Sequence, residues 1–147
     1  MTLMEQLTAD MKDAMKKGEK ERLSVIRLVR GAVRQAEIDG KKTLNDDEIL
    51  NILAKEVKMR RDSIEEFERG KRTDLVEKTK AEIDILMPYL PAQLSPNEVK
   101  ELAEKAAAEV GAATAKDMGK VMGVLMPRLK GRADGKIVNE IVRALLK

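Results

Sequence analysis

The chain has 147 residues, 29 Lys+Arg against 26 Asp+Glu, and only one Tyr, one Phe and no Trp. That length fits one domain or two small ones, with a core of Leu, Ile, Val, Ala and Met. It contains neither His nor Cys, which removes disulfides, Cys-ligated metal, the usual general base and the usual amide-cleaving nucleophile.

No catalytic residue, metal or cofactor is therefore assigned. No apolar run approaches the roughly 18 residues of a membrane span. The start, Met1-Thr2-Leu3-Met4-Glu5-Gln6-Leu7, lacks the charged head and greasy middle of a signal peptide. The expectation is a cytoplasmic protein with no membrane partner.

Nearly every segment reads as helix. Leu3, Leu7, Met11 and Met15 recur at four-residue steps on the first, which ends near Gly18. A second helix is predicted from about Lys20 to Asp39, with Leu23, Ile26, Val29 and Val33 inward and Gly40 as its stop. After a loop over Lys41–Leu44, Asn45 with Glu48 predicts a capping box for a long third helix. Its inward residues are Ile49, Ile52, Leu53, Val57, Ile64 and Phe67, and Gly70 ends it. Asp74 with Glu77 is read as opening a fourth, carrying Leu75, Val76, Thr79, Ile83 and Leu86.

Pro88, Pro91 and Pro96 then break the chain, since three prolines within nine residues cannot share a helix. Tyr89 and Leu90 make the break a docked connector. Ser95-Pro96-Asn97-Glu98 restarts it with an N-cap, a proline at the first helical position and a closing Glu. Val99, Leu102, Ala103, Ala106 and Val110 follow on one face, up to Gly111. Thr114 is expected to cap a sixth helix with Met118, Val121, Met122, Leu125 and Leu129 inward. Asp134 is expected to cap a seventh with Ile137, Val138, Ile141, Val142, Leu145 and Leu146. The fold class is all-α: a four-helix domain over 1–92, then a three-helix domain over 93–147.

Charge is segregated along this order. Lys116 to Lys147 holds eight Lys/Arg and three acids, a net +5, so the rest of the chain nets −2. A basic helical surface suits a polyanion such as RNA, and equally a merely solvated face. Gly119 and Gly123, one turn apart, each cost about 1 kcal/mol relative to Ala. Close packing against another helix is one reason to keep them; room for a nucleic-acid backbone is another. Lys130-Gly131-Arg132-Ala133-Asp134-Gly135-Lys136 reads as a tight turn, with Gly131 left-handed and three cations beside a helix N-terminus that can attract an anion. The RNA-contacting candidates are Lys120, Arg128, Lys130, Gly131, Arg132 and Lys136. Arg27, Arg30 and Arg34 form a second basic stripe, but residues 1–95 hold 19 basic and 19 acidic side chains, so salt-bridged surfaces are expected there. Asp46-Asp47-Glu48 is read as helix capping, not a metal cluster.

Several of these segments match a known pattern in register. Arg22-Leu23-Ser24-Val25-Ile26-Arg27, Arg60-Arg61-Asp62-Ser63-Ile64-Glu65 and Tyr89-Leu90-Pro91-Ala92-Gln93-Leu94 resemble hallmarks of the YqeY-like proteins, a likeness that covers the whole chain. Gly119 with Gly123, Lys130-Gly131-Arg132-Ala133 and Val138-Asn139 resemble the tail domain of the GatB subunit of tRNA-dependent amidotransferases. Pro127 departs from that tail pattern, where a non-proline residue is usual. The resemblance implies an all-helical two-domain protein linked to tRNA-dependent amidation. Its implied partners are tRNA or another structured RNA, and an amidotransferase or aminoacyl-tRNA enzyme. The family is associated with carbon–nitrogen ligase activity with glutamine as amido-N-donor, but that chemistry lies in a catalytic body absent from this chain. The leading expectation is thus a small RNA-binding protein without its own catalytic centre. The alternative is a protein-interaction module docking through the connector and the four-helix half.

Overall fold

Local caps delimit the helices in a computed structural model that describes residues 1–147. The chain is all-α: α1 Leu3–Lys17, α2 Lys20–Gly40, α3 Asp46–Arg69, α4 Thr73–Leu86, α5 Pro96–Val110, α6 Met118–Arg128 and α7 Gly135–Leu145. Short 3-10 turns span Met87–Tyr89 and Ala115–Asp117. Asn45 and Glu48 close a capping box on α3, and Ser95 and Glu98 close one on α5. Each box satisfies two amides that the first helical turn would otherwise leave unpaired. The Ser95 backbone amide, bonded to the Glu98 carboxylate, is the main cause that holds the Glu98 pKa below its usual range.

The chain divides into two compact units, Met1–Leu90 and Pro91–Lys147. In the first, α1 packs on α2 and α3 on α4, around Leu7, Ile26, Val29, Leu53, Val57 and Leu86. Tyr89 joins that core and donates its hydroxyl proton to Asp10 on α1. In the second, α5 packs on both α6 and α7 around Ala103, Ala106, Val121, Leu125, Val138 and Val142. Residues 92–94 strap the turn before α7. Leu94 N–H donates to the Arg132 carbonyl at 2.8 Å, and Gln93 Nε2 donates to the Gly131 carbonyl at 2.7 Å.

Several local expectations are corrected. Met15 is 52% exposed, and Ala14 takes its place in the core. Four-residue steps advance about 400° on a helix, so a strict i+4 row drifts off the buried face by its third step. Gly40 stays helical, and the left-handed cap of α2 is Lys41, with φ 52°. Gly70 caps the end of α3 as expected, with φ −82°, and Lys71 after it carries the positive φ. Asp74 does not cap α4. It sits inside the first turn and is held by Arg72 at 3.0 Å.

Candidate nucleic-acid interface

α6 turns Val121 and Leu125 into the core of its unit, with Leu129 following just beyond the helix. The opposite arc, at 100° per residue, carries Gly119, Gly123, Pro127 and Lys120. The two glycines are exposed, and a Cβ built on either meets no atom within 4 Å. The close-packing expectation for Gly119 and Gly123 therefore fails within this unit. α5 and α7 meet α6 on its apolar side, and the glycines lie on the other. Pro127 has no amide hydrogen, so the Gly123 carbonyl lacks its usual partner four residues on. The helix ends one residue later, at Arg128.

The candidate cations are not equivalent. Lys120 is 71% exposed and only 4.0 Å from Asp117, a loose contact. Asp117 is occupied elsewhere. Its carboxylate accepts from the Ala113 and Thr114 amides, which hold its pKa below the usual range. Lys116, on the turn leading into α6, and Lys130, just after it, are exposed and carry no ion pair. Arg128 is committed to Glu109 of α5. Arg132 is half-buried, and its Nε lies 3.4 Å from the Ala92 carbonyl. Gly131 adopts φ 72°, the left-handed conformation expected of it.

The N-terminus of α7 is not an open anion site. Asp134 caps it and accepts from the Lys136 amide at 3.1 Å, so a carboxylate already sits where a phosphate would. The turn thus keeps Lys130 outward and spends Arg132 and Asp134 on its own architecture. Lys116 is the residue sequence reading passed over. Its signal is the spacing Lys116, Lys120, Gly123, Pro127 on one side of the α6 entry.

The N-terminal stripe also departs from expectation. Arg60 pairs with Glu56 at 2.8 Å and Glu82 at 3.1 Å, and Lys58 with Asp62 at 3.1 Å, as balanced charge predicts. Arg27, Arg30 and Arg34 have no acidic partner. Arg30 instead points one Nη at the Met11 sulfur, 3.1 Å away, and its buried Nε is unpartnered. No group of three or more acidic side chains is placed to hold a metal, and Asp46 accepts from the Leu3 amide at 3.1 Å.

The family model described as "Yqey-like protein" matches residues 4–146. The chain belongs to the YqeY-like family. It is 33% identical over 148 residues to Altered inheritance of mitochondria protein 41, mitochondrial, from Pyrenophora tritici-repentis, covering 98% of this chain and 81% of that protein. The protein of the same name from Kluyveromyces lactis is 41% identical over 87 residues, 58% of this chain and 47% of its own length. That from Candida glabrata is 36% identical over 102 residues, 68% of this chain and 56% of its own length. The mitochondrial setting in these names is a property of the fungal relatives. In this YqeY-like chain no helix is long and apolar enough to cross a membrane.

Proposed function

We propose that the C-terminal unit binds structured RNA, with tRNA as the first candidate, through the exposed face of α6 and the turn after it. The observation that carries this reading is the open backbone at Gly119 and Gly123 beside exposed Lys120, in a segment with net charge +5. Two exposed glycines without a packing reason, Gly123 in mid-helix and Gly119 in the first turn, cost stability. A nucleic-acid backbone approaching that strip would use the space and meet Lys116, Lys120 and Lys130. The Gly123 carbonyl, left free of a residue-127 amide, can accept from a ribose 2′-hydroxyl, a group DNA lacks. With one Tyr and one Phe in the chain, and Tyr89 buried, base stacking is a minor mode and RNA shape and backbone the major one.

The reading extends to domain organisation and setting. The two compact units act as domains, the first of four helices and the second of three, the second related to the amidotransferase tail, with the boundary at Leu90/Pro91 rather than at 92/93. The protein works in the cytoplasm as an accessory to an amidotransferase or aminoacyl-tRNA enzyme, without a catalytic centre of its own.

Fluorescence anisotropy with labelled tRNA at several salt concentrations tests the binding. Wild type should weaken steeply with salt, as counterion release requires. Replacing Lys116, Lys120 and Lys130 together by Ala should reduce the log–log salt slope by roughly 2 to 3. Equal binding of wild type and a folded triple variant would remove this face from consideration.

A further inference from the structure

The outer face of α2 is exposed and no element of the N-terminal unit covers it. Its inner face buries Val25, Ile26, Val29 and Val33. Its outer face presents Arg27, Leu28, Gly31, Arg34, Gln35 and Ile38, all exposed. Leu28 is 50% and Ile38 70% exposed, one near each end of the strip. A Cβ at Gly31 would meet nothing within 4 Å, so the centre of the strip is bare backbone. A depression lies beside each end. Leu28 lines one of 410 Å³ with Met59, Phe67 and Leu75 from α3 and α4, whose polar wall is the ion-paired Arg60, Glu56 and Glu82 together with Lys78. Arg34 and Ile38 line another of 600 Å³ with Lys41.

Charge identifies the occupant. Six cations of this unit, Lys17, Arg22, Lys42, Lys58, Arg60 and Arg72, are held in ion pairs, while others such as Lys12, Lys20 and Lys55 are exposed without one. What sets Arg27 and Arg34 apart is their placement, seven residues apart on a face that carries no acid of its own. The nearby acids are engaged: Glu37 accepts from the Leu44 amide, Asp39 from the Gln35 side chain, and Glu56 and Glu82 from Arg60. The face is therefore complementary to a surface that brings carboxylates of its own. Leu28, Ile38 and Met59 beside them disfavour RNA, whose phosphates gain nothing from aliphatic surface. A second copy in the same pose would set arginines against an equally basic face.

We propose that this face docks an acidic amphipathic helix of a partner protein. Two carboxylates seven residues apart on that helix would match Arg27 and Arg34, about 10.5 Å apart along α2. An apolar side chain between them would enter the Leu28–Met59–Phe67–Leu75 depression, and the bare Gly31 backbone would let the helices approach. The sequence-level alternative placed docking partly on the proline-rich connector. Buried Tyr89 and the strap of residues 92–94 commit that connector to the two units themselves.

The test is site-specific photocrosslinking of the full chain in its own cells, with p-benzoylphenylalanine at exposed Gln35. Crosslinked peptides are identified by mass spectrometry. The expected product is a protein segment with helical apolar periodicity and acids seven residues apart. A synthetic peptide of that segment should bind wild type and lose about tenfold with Arg27→Ala and again with Arg34→Ala. Both arginines are exposed and unpaired, so circular dichroism should be unchanged. Crosslinks to RNA, to a second copy, to a segment without paired acids, or to nothing would overturn the proposal. Affinity for tRNA in the double variant separates the two readings: it should equal wild type, because α6 is untouched.

Discussion

Arg128 on α6 and Glu109 on α5 meet fork to fork, with Nη2 2.7 Å from Oε2 and Nη1 3.2 Å from Oε1. The carboxylate raises the arginine's pKa and fixes its plane. Both side chains are nearly half exposed, so water screens the pair. Arg128 is therefore a clamp between helices rather than a free phosphate ligand. Arg128→Ala should leave tRNA affinity within twofold of wild type and lower the melting temperature slightly. A loss of affinity as large as that of Lys120→Ala would return Arg128 to the RNA-binding set.

The contrast between Arg128 and Ser95 shows which features were legible in sequence. A cap joins residues three apart, so Ser95 with Glu98 and Asn45 with Glu48 are visible in any short window, and both boxes form. Buried rows such as Val121–Leu125–Leu129 are visible for the same reason. The partner of a cation is a tertiary fact. Glu109 lies 19 residues from Arg128, and Glu82 lies 22 from Arg60. Equal numbers of acids and bases do not say which cations find a partner, and Arg27 and Arg34 are among those that find none. Gly119 and Gly123 were ambiguous because periodicity names the apolar arc of a helix. It does not say whether another element covers the remaining arc.

Gly131 sits at φ 72° in the turn between α6 and α7. A β-branched side chain resists that conformation, at a cost of roughly 1 to 3 kcal/mol. Gly131→Val should destabilise the C-terminal unit and loosen its strap, since Gln93 Nε2 binds the Gly131 carbonyl and Leu94 N–H the next one. Amide hydrogen exchange at Leu94 should accelerate at least tenfold, with α5 exchange less affected. Unchanged protection at Leu94 would show that the strap does not depend on the left-handed turn.

The open faces of Gly119 and Gly123 make stability and binding move in opposite directions. Alanine meets no atom within 4 Å at either position, and it gains about 1 kcal/mol of helix propensity at mid-helix Gly123 and less at Gly119 in the first turn. The double variant Gly119→Ala/Gly123→Ala should melt several degrees higher than wild type. Its tRNA affinity should fall, because two methyl groups fill the strip that the phosphate backbone would approach. A variant that is both more stable and equally tight would show that the glycines serve neither packing nor RNA.

Tyr89 is the only tyrosine in a chain without tryptophan, so its ionisation can be followed at 295 nm without interference. Burial in the N-terminal core is the main cause that pushes its pKa above the ordinary value of 10.0, and the hydrogen bond to Asp10 adds to it. The native state therefore keeps its phenolic proton at pH values where the unfolded chain has lost it. With the native state binding more protons, stability must fall as pH rises above about 10. That contribution is fully present below the unfolded pKa. Wild type should show little tyrosinate absorbance at pH 10.5 in buffer and much more in concentrated urea. Its urea midpoint should fall from pH 9.5 to 11 more steeply than that of Tyr89→Phe, which lacks the titrating group. The Phe variant should itself be less stable at pH 7, because Asp10 loses its donor. Equal alkaline slopes for the two proteins would show that Tyr89 is not held protonated by its burial and by Asp10.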